Sequence, residues 1–389
     1  MKPKTIRDGV VWMGAIDWNR RLFDSLIPLP DGTTYNAYLV KGSEKTALLD
    51  TVDPAMKDVL MSHLATVDRV DYVVSHHAEQ DHSGSIPAVL ERYPDAKVLC
   101  SPKAKPLLSE HLEIGDNRIT TVEDGETLSL GEKTLHFLHM PWVHWPETMV
   151  THIPEVGMLF TCDLFGSHLA TSSLCVGDEP HVCEAAKRYY AEIMMPFRSV
   201  IKKYLERIAP FDCELIAPSH GPVHTNPKCI QSAYSDWVSD AVKDVVVAPF
   251  VSMHGSTETM VDYLLESLMD KGTEVHKFDL AVTDIGKLAM ALVDAATIVI
   301  GTPTVYGGPH PTVFFATHLA NALRPKLKYA TVIGSYGWGT KAVEQIAGLI
   351  PNLDVEVLDP VLCKGRPGEQ TYGALDRLAE AIKTRHDSL

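Results

Sequence analysis

The turn Ser75-His76-His77-Ala78-Glu79-Gln80-Asp81-His82-Ser83-Gly84 sets two imidazoles and two carboxylates within the six positions from His77 to His82. A mixed nitrogen and oxygen set suits a first-row transition metal better than calcium or magnesium. Clusters of His and Glu also decorate solvated turns, but this one follows an apolar run, Val70 to Val74, that reads as a buried strand. Ile86-Pro87-Ala88-Val89-Leu90 then starts a helix. A turn between a strand and a helix presents ligands well, because a rigid scaffold holds an exposed loop.

Three later stretches carry the same donor types. Pro141-Trp142-Val143-His144-Trp145-Pro146-Glu147-Thr148 pins His144 between two prolines. Met158-Leu159-Phe160-Thr161-Cys162-Asp163 is an apolar strand ending in a carboxylate, a placement that suits an aspartate bridging two metals. Ile216-Ala217-Pro218-Ser219-His220 again ends a strand with a histidine. A lone histidine is more often a hydrogen-bonded core residue than a ligand. The order of the set and its flanking residues favour a metal centre.

The spacing H-x-E-x-D-H resembles the metal motif of the metallo-β-lactamase fold, H-x-H-x-D-H, with Glu79 where the hydrolases carry a second histidine. That exchange resembles the flavodiiron proteins, in which the added carboxylate favours iron cycling between two and three positive charges. The loop around His144 is similar to the family's P-x-x-H-W-P-[DE]-T, and the stretch ending in His220 to its last ligand. The resemblance implies one iron held by His77, Glu79 and His144 and another by Asp81, His82 and His220, with Asp163 bridging. Tyr190 matches a family tyrosine near the pocket, a candidate donor to bound gas. Where many members carry a histidine after the Asp17-Trp18 pair, this chain has Asp24.

Beyond Trp237 the pattern changes. The apolar strand Asp244 to Val251 opens into Ser252-Met253-His254-Gly255-Ser256-Thr257. Small and hydroxyl residues between a strand and a helix can wrap a phosphate with backbone N–H groups. The stretch resembles the FMN phosphate loop of flavodoxins. Strand Ala296 to Ile300 leads into Gly301-Thr302-Pro303-Thr304-Val305-Tyr306-Gly307-Gly308, and strand Tyr329 to Ile333 into Gly334-Ser335-Tyr336-Gly337-Trp338-Gly339. Both loops follow the carboxyl ends of strands, where ligands bind in open α/β sheets. Tyr306 and Trp338 are placed to pack against an isoalloxazine ring.

Strands at Gly32–Val40, Thr46–Asp50 and Lys97–Cys100, helices at 57–65 and 103–112, and a hairpin over Glu126–Leu138 surround the metal stretches. They predict an α/β chain: an αββα metallo-β-lactamase-like sandwich over residues 1–244, then a flavodoxin-like doubly wound parallel sheet over 245–389. The length, 389 residues, fits two domains. A net charge of −15 argues against a nucleic-acid partner. Seven scattered cysteines without a C-x-x-C pair exclude an appended rubredoxin and suit a reducing compartment. No apolar run spans a membrane and Met1-Lys2-Pro3-Lys4-Thr5 carries no secretory signal, so a cytoplasmic protein is expected. His63, His111, His152, His181 and His386 match no ligand slot and read as surface residues. His76, His136, His139 and His168 read as possible supporting donors.

The resemblance implies an oxidoreductase that reduces O2 to water, or NO to N2O, at two irons fed by FMN. Its electron donor would be a separate rubredoxin or reduced coenzyme F420. Its assembly would be a head-to-tail homodimer or a tetramer of two such dimers. Two other readings compete: a dinuclear zinc hydrolase fused to a flavodoxin domain, and a flavin carrier or redox sensor with a structural metal.

Overall fold

The computed structural model describes residues 2–177 and 179–389. The chain divides into two compact units, Met1–Tyr190 with Phe197–Ser235, and Ala191–Pro196 with Asp236–Leu389. The second unit thus begins before the expected boundary at 244. Lys326 explains why: its ammonium donates to the Asp236 carbonyl at 3.2 Å and reaches the Ser239 hydroxyl at 3.5 Å, tying this stretch to the second unit.

Two large sheets, with two small two-stranded ones beside them, form the first unit. One has seven strands, with Thr46–Leu49, Tyr72–Val74 and Lys97–Cys100 side by side and parallel. The other has five, ending with Met158–Cys162 parallel to Leu215–Pro218. Tyr72–Val74 lies between parallel neighbours, which is why its sequence is a continuous apolar run rather than an alternating one. Side chains from both sheets share one buried cluster that includes Leu49, Val74, Phe137, Met149, Phe160 and Ala217. The opposite face of the first sheet, through Leu48, Val73 and Val98, packs on helices Lys57–Leu64, Ile86–Arg92 and Ala104–Leu112. Helix Arg198–Ile208 anchors beside the second sheet, where Arg207 donates to the His139 carbonyl at 2.9 Å.

One expectation needs correcting. The stretch Gly32–Val40 is two strands rather than one: Thr33–Tyr35 pairs with Ala15–Asp17, and Tyr38–Lys41 joins the large sheet. Asn36, at the break, donates its side-chain amide to the carbonyls of Pro218 and Gly221, both at 2.8 Å. Those bonds divert the chain toward the loop carrying His220.

In the second unit the parallel strands run in the spatial order Glu274–Asp279, Lys243–Phe250, Ala295–Val305, Tyr329–Tyr336, then Glu356–Val357 and Val361–Lys364. By sequence this is the 2-1-3-4-5 order of the flavodoxin-like doubly wound sheet. Apolar clusters cover both faces, one holding Leu288, Val313 and Ile346, the other Met260, Leu264 and Leu378. Among the described residues no helix is long and apolar enough to cross a membrane.

Candidate functional site

Strand ends of the first unit deliver the metal-type donors. A buried bracket fixes the first of them. Asp50, just past Thr46–Leu49, accepts from the His76 amide at 2.9 Å and lies 2.7 Å from His76 Nδ1. The other ring nitrogen of His76 meets Thr151 Oγ1 at 2.7 Å, and the Ser219 hydroxyl reaches Asp50 at 3.3 Å. His76 therefore ties the ends of Thr46–Leu49 and Tyr72–Val74 to the middle of strand Met149–Ile153, just ahead of His77. After it the chain turns into the short helix Gln80–Ser83, where the Glu79 backbone carbonyl accepts from the amides of His82 and Ser83 and its side chain is left free of the cap.

The structure brings His77, Glu79, Asp81, His82, His144, Asp163 and His220 into two adjoining groups. In the first, Glu79 Oε2 lies 3.0 Å from His77 Nε2 and 3.2 Å from His144 Nε2, while Asp163 Oδ2 is 3.7 and 3.4 Å from the same nitrogens. In the second, Asp81 is 3.3 Å from His82 Nε2 and 3.1 Å from His220 Nε2, and Asp163 Oδ1 is 3.1 and 3.4 Å from them. Asp163 thus offers one oxygen to each group. Donors each about 2.1 Å from a common ion sit about 3.0–3.4 Å apart in octahedral or tetrahedral arrangements. These spacings match that requirement.

Electrostatics point the same way. Both oxygens of Asp81 and of Asp163 are buried without a hydrogen-bond partner, a costly state for carboxylates unless a cation is supplied. Burial alone would lower the His144 imidazole, but Asp163 and Glu79 carry it up to about 10. Burial likewise opposes protonation of His77, and Glu147, Glu79 and Asp163 override it. The pocket attracts positive charge, and its donors fit two transition-metal ions.

The surrounding shell was only partly anticipated. His168 sits against the site, its ring 4.9 Å from that of His220 and its Nδ1 2.9 Å from Thr33 Oγ1. His136 and His139 do not: the first faces His152, and the second meets the Val122 carbonyl at 3.0 Å. Tyr190 packs edge-on against Tyr234, with ring centroids 5.5 Å apart. Its neighbour Tyr189 faces the pocket, 5.9 Å from the His220 ring. Burial, then the charges of Asp163 and Asp81, hold the Tyr189 hydroxyl well above its ordinary value. The sequence points to Tyr190; Tyr189, the last residue of helix Glu179–Tyr189, is a second tyrosine beside the site.

Two further supports carried little or no signal. Glu147 lies 2.8 Å from His77 Nδ1, and the Thr34 carbonyl lies 2.6 Å from His220 Nδ1. Glu147 had two clues, being the lone carboxylate in an aromatic and proline-rich loop and filling the [DE] position of the family's loop motif. Asp24 sits at the tip of the hairpin Leu22–Phe23 and Ile27–Pro28, whose Phe23 ring packs 5.0 Å from His168. Burial, then the charges of Glu79 and Asp81, raise the Asp24 carboxyl. Three of the histidines read as surface residues are buried. His63 holds the Met13 carbonyl at 2.9 Å, His152 packs on Phe211, and His386 lies between Asp244 and Thr297 at 2.6 and 2.7 Å. His111 and His181 are exposed, as expected.

At the second unit's strand ends the three predicted loops share one edge, since Lys243–Phe250, Ala295–Val305 and Tyr329–Tyr336 are parallel neighbours. The strands run further than expected, so Pro303, Thr304 and Val305, and Ser335 and Tyr336, belong to strand ends rather than loops. Gly334 is required within the sheet, because a Cβ there would stand 2.0 Å from the Thr302 carbonyl oxygen. Ser252 Oγ accepts from the amides of Gly255 and Glu258, both at 3.2 Å, shaping the turn before helix Ser256–Asp270. Gly255 adopts φ +84°, a conformation open to glycine, with nothing within 4 Å of a built Cβ. Thr257 and Ser335 hydroxyls meet at 3.2 Å across the cradle. Tyr306 is 99% exposed and Trp338 95%, two bare aromatic faces beside an anion-type turn. A phosphate on that turn and a flat ring against these side chains fit the residues present.

Comparisons with known proteins agree with both halves. Residues 33–221 match the ODP family beta lactamase. The chain is 37% identical to the nitric oxide reductase of Moorella thermoacetica, with 92% of each covered, and 34% identical to the coenzyme F420H2 oxidase of Methanothermobacter marburgensis, with 91% of each covered. Its fold matches the rubredoxin oxygen:oxidoreductase from Desulfovibrio gigas at a TM-score of 0.95 and 31% identity, covering 99% of each chain. The flavodiiron protein from Giardia intestinalis matches at 0.91 and 26% identity, with 100% of this chain and 97% of that one covered. This chain belongs to the flavodiiron protein family, oxidoreductases that carry FMN and a diiron centre.

Proposed function

We propose that the protein reduces a small oxidant, O2 or NO, with electrons delivered through FMN from a separate donor. The observation carrying this reading is the division of Asp163, one oxygen toward His77 and His144 and the other toward His82 and His220. His77, Glu79 and His144 would hold one iron, Asp81, His82 and His220 the other, and Asp163 both. Bound there, a diiron pair supplies one-electron redox chemistry and open positions for a diatomic, while FMN on the second unit's loops stores the electrons.

The chain's own residues would do the rest. His144 and Glu79 retain 17% and 12% side-chain exposure, so the first donor group is the one reached from solvent. Tyr189, kept protonated, remains a hydrogen-bond donor beside Asp163 and Asp81. Reduction of O2 to two waters consumes four electrons and four protons; coupling two NO to N2O and one water consumes two of each.

Relatives named for nitric oxide, F420H2 and rubredoxin set the choices of gas and donor. A head-to-tail pairing of two copies fits the exposed Trp18, Leu22, Leu26 and Trp142 on loops and a hairpin of the first unit and the bare Tyr306 and Trp338 of the second. Anaerobic reduction of the iron-loaded, FMN-replete protein, followed by flavin reoxidation with each gas in turn, tests the proposal. Reoxidation well above that of free FMN with one gas fixes the substrate. Reoxidation no faster than free FMN with either gas overturns the reading.

A further inference from the structure

We propose that Glu147 is a positioning residue that makes the two metal positions electronically unequal, so that the position framed by His77, Glu79 and His144 holds the higher-charged ion of a half-oxidised pair. The inference rests on the metal-centre reading above. Glu147 Oε1 faces His77 Nδ1 at 2.8 Å and accepts from the Ala78 amide at 2.9 Å. Both side chains are fully buried, and Glu147 Oε2 has no hydrogen-bond partner. Among the described residues its ion-pair contact is with His77. The Ser101 hydroxyl, donating to the Glu147 carbonyl at 2.7 Å, fixes the loop that carries it.

The other group is supported differently. His220 Nδ1 faces a neutral backbone carbonyl, that of Thr34 at 2.6 Å, and His82 Nδ1 faces the Cys162 thiol at 4.0 Å. A carboxylate drawing on Nδ1–H pushes negative charge onto Nε2, whereas a carbonyl or thiol does so far less. Asp163 is shared and each group has one further carboxylate, Glu79 or Asp81. Asp50 also lies within 4.8 Å of a His82 ring nitrogen, but its oxygens are taken up by the His76 amide and ring. Glu147 is therefore the carboxylate hydrogen-bonded directly to a donor imidazole on one side only, and in a dry pocket a full charge counts heavily.

Glu147→Gln keeps an acceptor of the same shape and removes the charge; Glu147→Asp keeps the charge and shortens the reach. Dithionite-reduced, iron-loaded protein would be titrated anaerobically with ferricyanide, one electron at a time, while the mixed-valence spin-resonance signal and the iron content are followed. The expected result is a fall of about tenfold in the comproportionation constant for Glu147→Gln, partly restored in Glu147→Asp, with two irons per chain retained. Release of iron to a chelator should also quicken by about 10- to 100-fold. Two irons with an unchanged mixed-valence fraction would overturn the proposal, as would iron loss without a changed fraction at full reloading. Native protein that binds no iron pair would sink the metal-centre reading itself.

Discussion

In the first unit, donor atoms are locked by a second layer of bonds: Glu147 on His77, Thr34 on His220, and the Asp50–His76–Thr151 bracket behind the turn. The second unit arranges its cofactor residues on strand ends and leaves the aromatic ones bare, with Trp338 and Tyr306 almost wholly exposed. The contrast follows from what each region binds. A metal pair demands oxygens and nitrogens held to a few tenths of an ångström with buried charge awaiting compensation. A flavin presents broad apolar faces and a phosphate, which a turn of backbone amides and two ring faces can hold with far less prior order.

The sharpest way to break that contrast is at Asp163. Its replacement by Ala removes a donor from both groups at once, so iron should fall from two per chain to below one while bound FMN stays unchanged. Gas-dependent flavin reoxidation should slow by more than about 100-fold. Retention of both irons, measured by colorimetric assay, would show that the shared carboxylate is dispensable.

Stripping the ligands compares the two regions directly. Chelating the metal leaves Asp81 and Asp163 buried and uncompensated, so thermal unfolding of the first unit should move down by about 5 °C or more. Removing FMN exposes loops that are already open, and the second unit's transition should shift by less than half as much. Equal shifts in calorimetry would mean that the flavin loops are as dependent on their ligand as the metal pocket. Within the cradle, Trp338→Ala should weaken FMN binding by about 3- to 10-fold, read by fluorescence titration, because one ring contact is lost and the phosphate turn remains.

How much of this was legible in the sequence follows the same divide. Ligand positions such as His77, Asp163 and His220 stand out because each ends an apolar strand, and short-range spacing records that. The supports lie far away in the chain: Thr34 acts through a carbonyl that any residue would supply, and Glu147 meets His77 across 70 positions. Neighbouring aromatics, Tyr189 and Tyr190, differ only in helical phase, which a pattern of apolar residues does not resolve to one position. Strand ends were short by several residues around Pro303 and Ser335, because glycine and proline there serve sheet packing and pairing as well as turning.

The two units also bury histidines on opposite terms, and acid should separate them. In the second, His386 has the Asp244 carboxylate 2.6 Å from its ring. In the first, His152 packs on Phe211 at 4.7 Å, and its Nε2 has no hydrogen-bond partner. Burial, then the neighbouring charge of His136, pushes the His152 imidazole below its ordinary value, with Glu155 opposing weakly. Above pH 6.5 the ring is neutral whether the chain is folded or not, so it contributes nothing to pH dependence. As pH falls through the unfolded value, the unfolded chain takes a proton that the folded one refuses. Stability is then lost until the folded value is passed, with a slope of at most about 1.4 kcal/mol per pH unit for one proton. His152→Phe should flatten that part of the acid limb of the first unit's unfolding curve. A limb unchanged between native protein and variant, measured from pH 7 to 5 by denaturant titration, would assign the acid sensitivity to other groups.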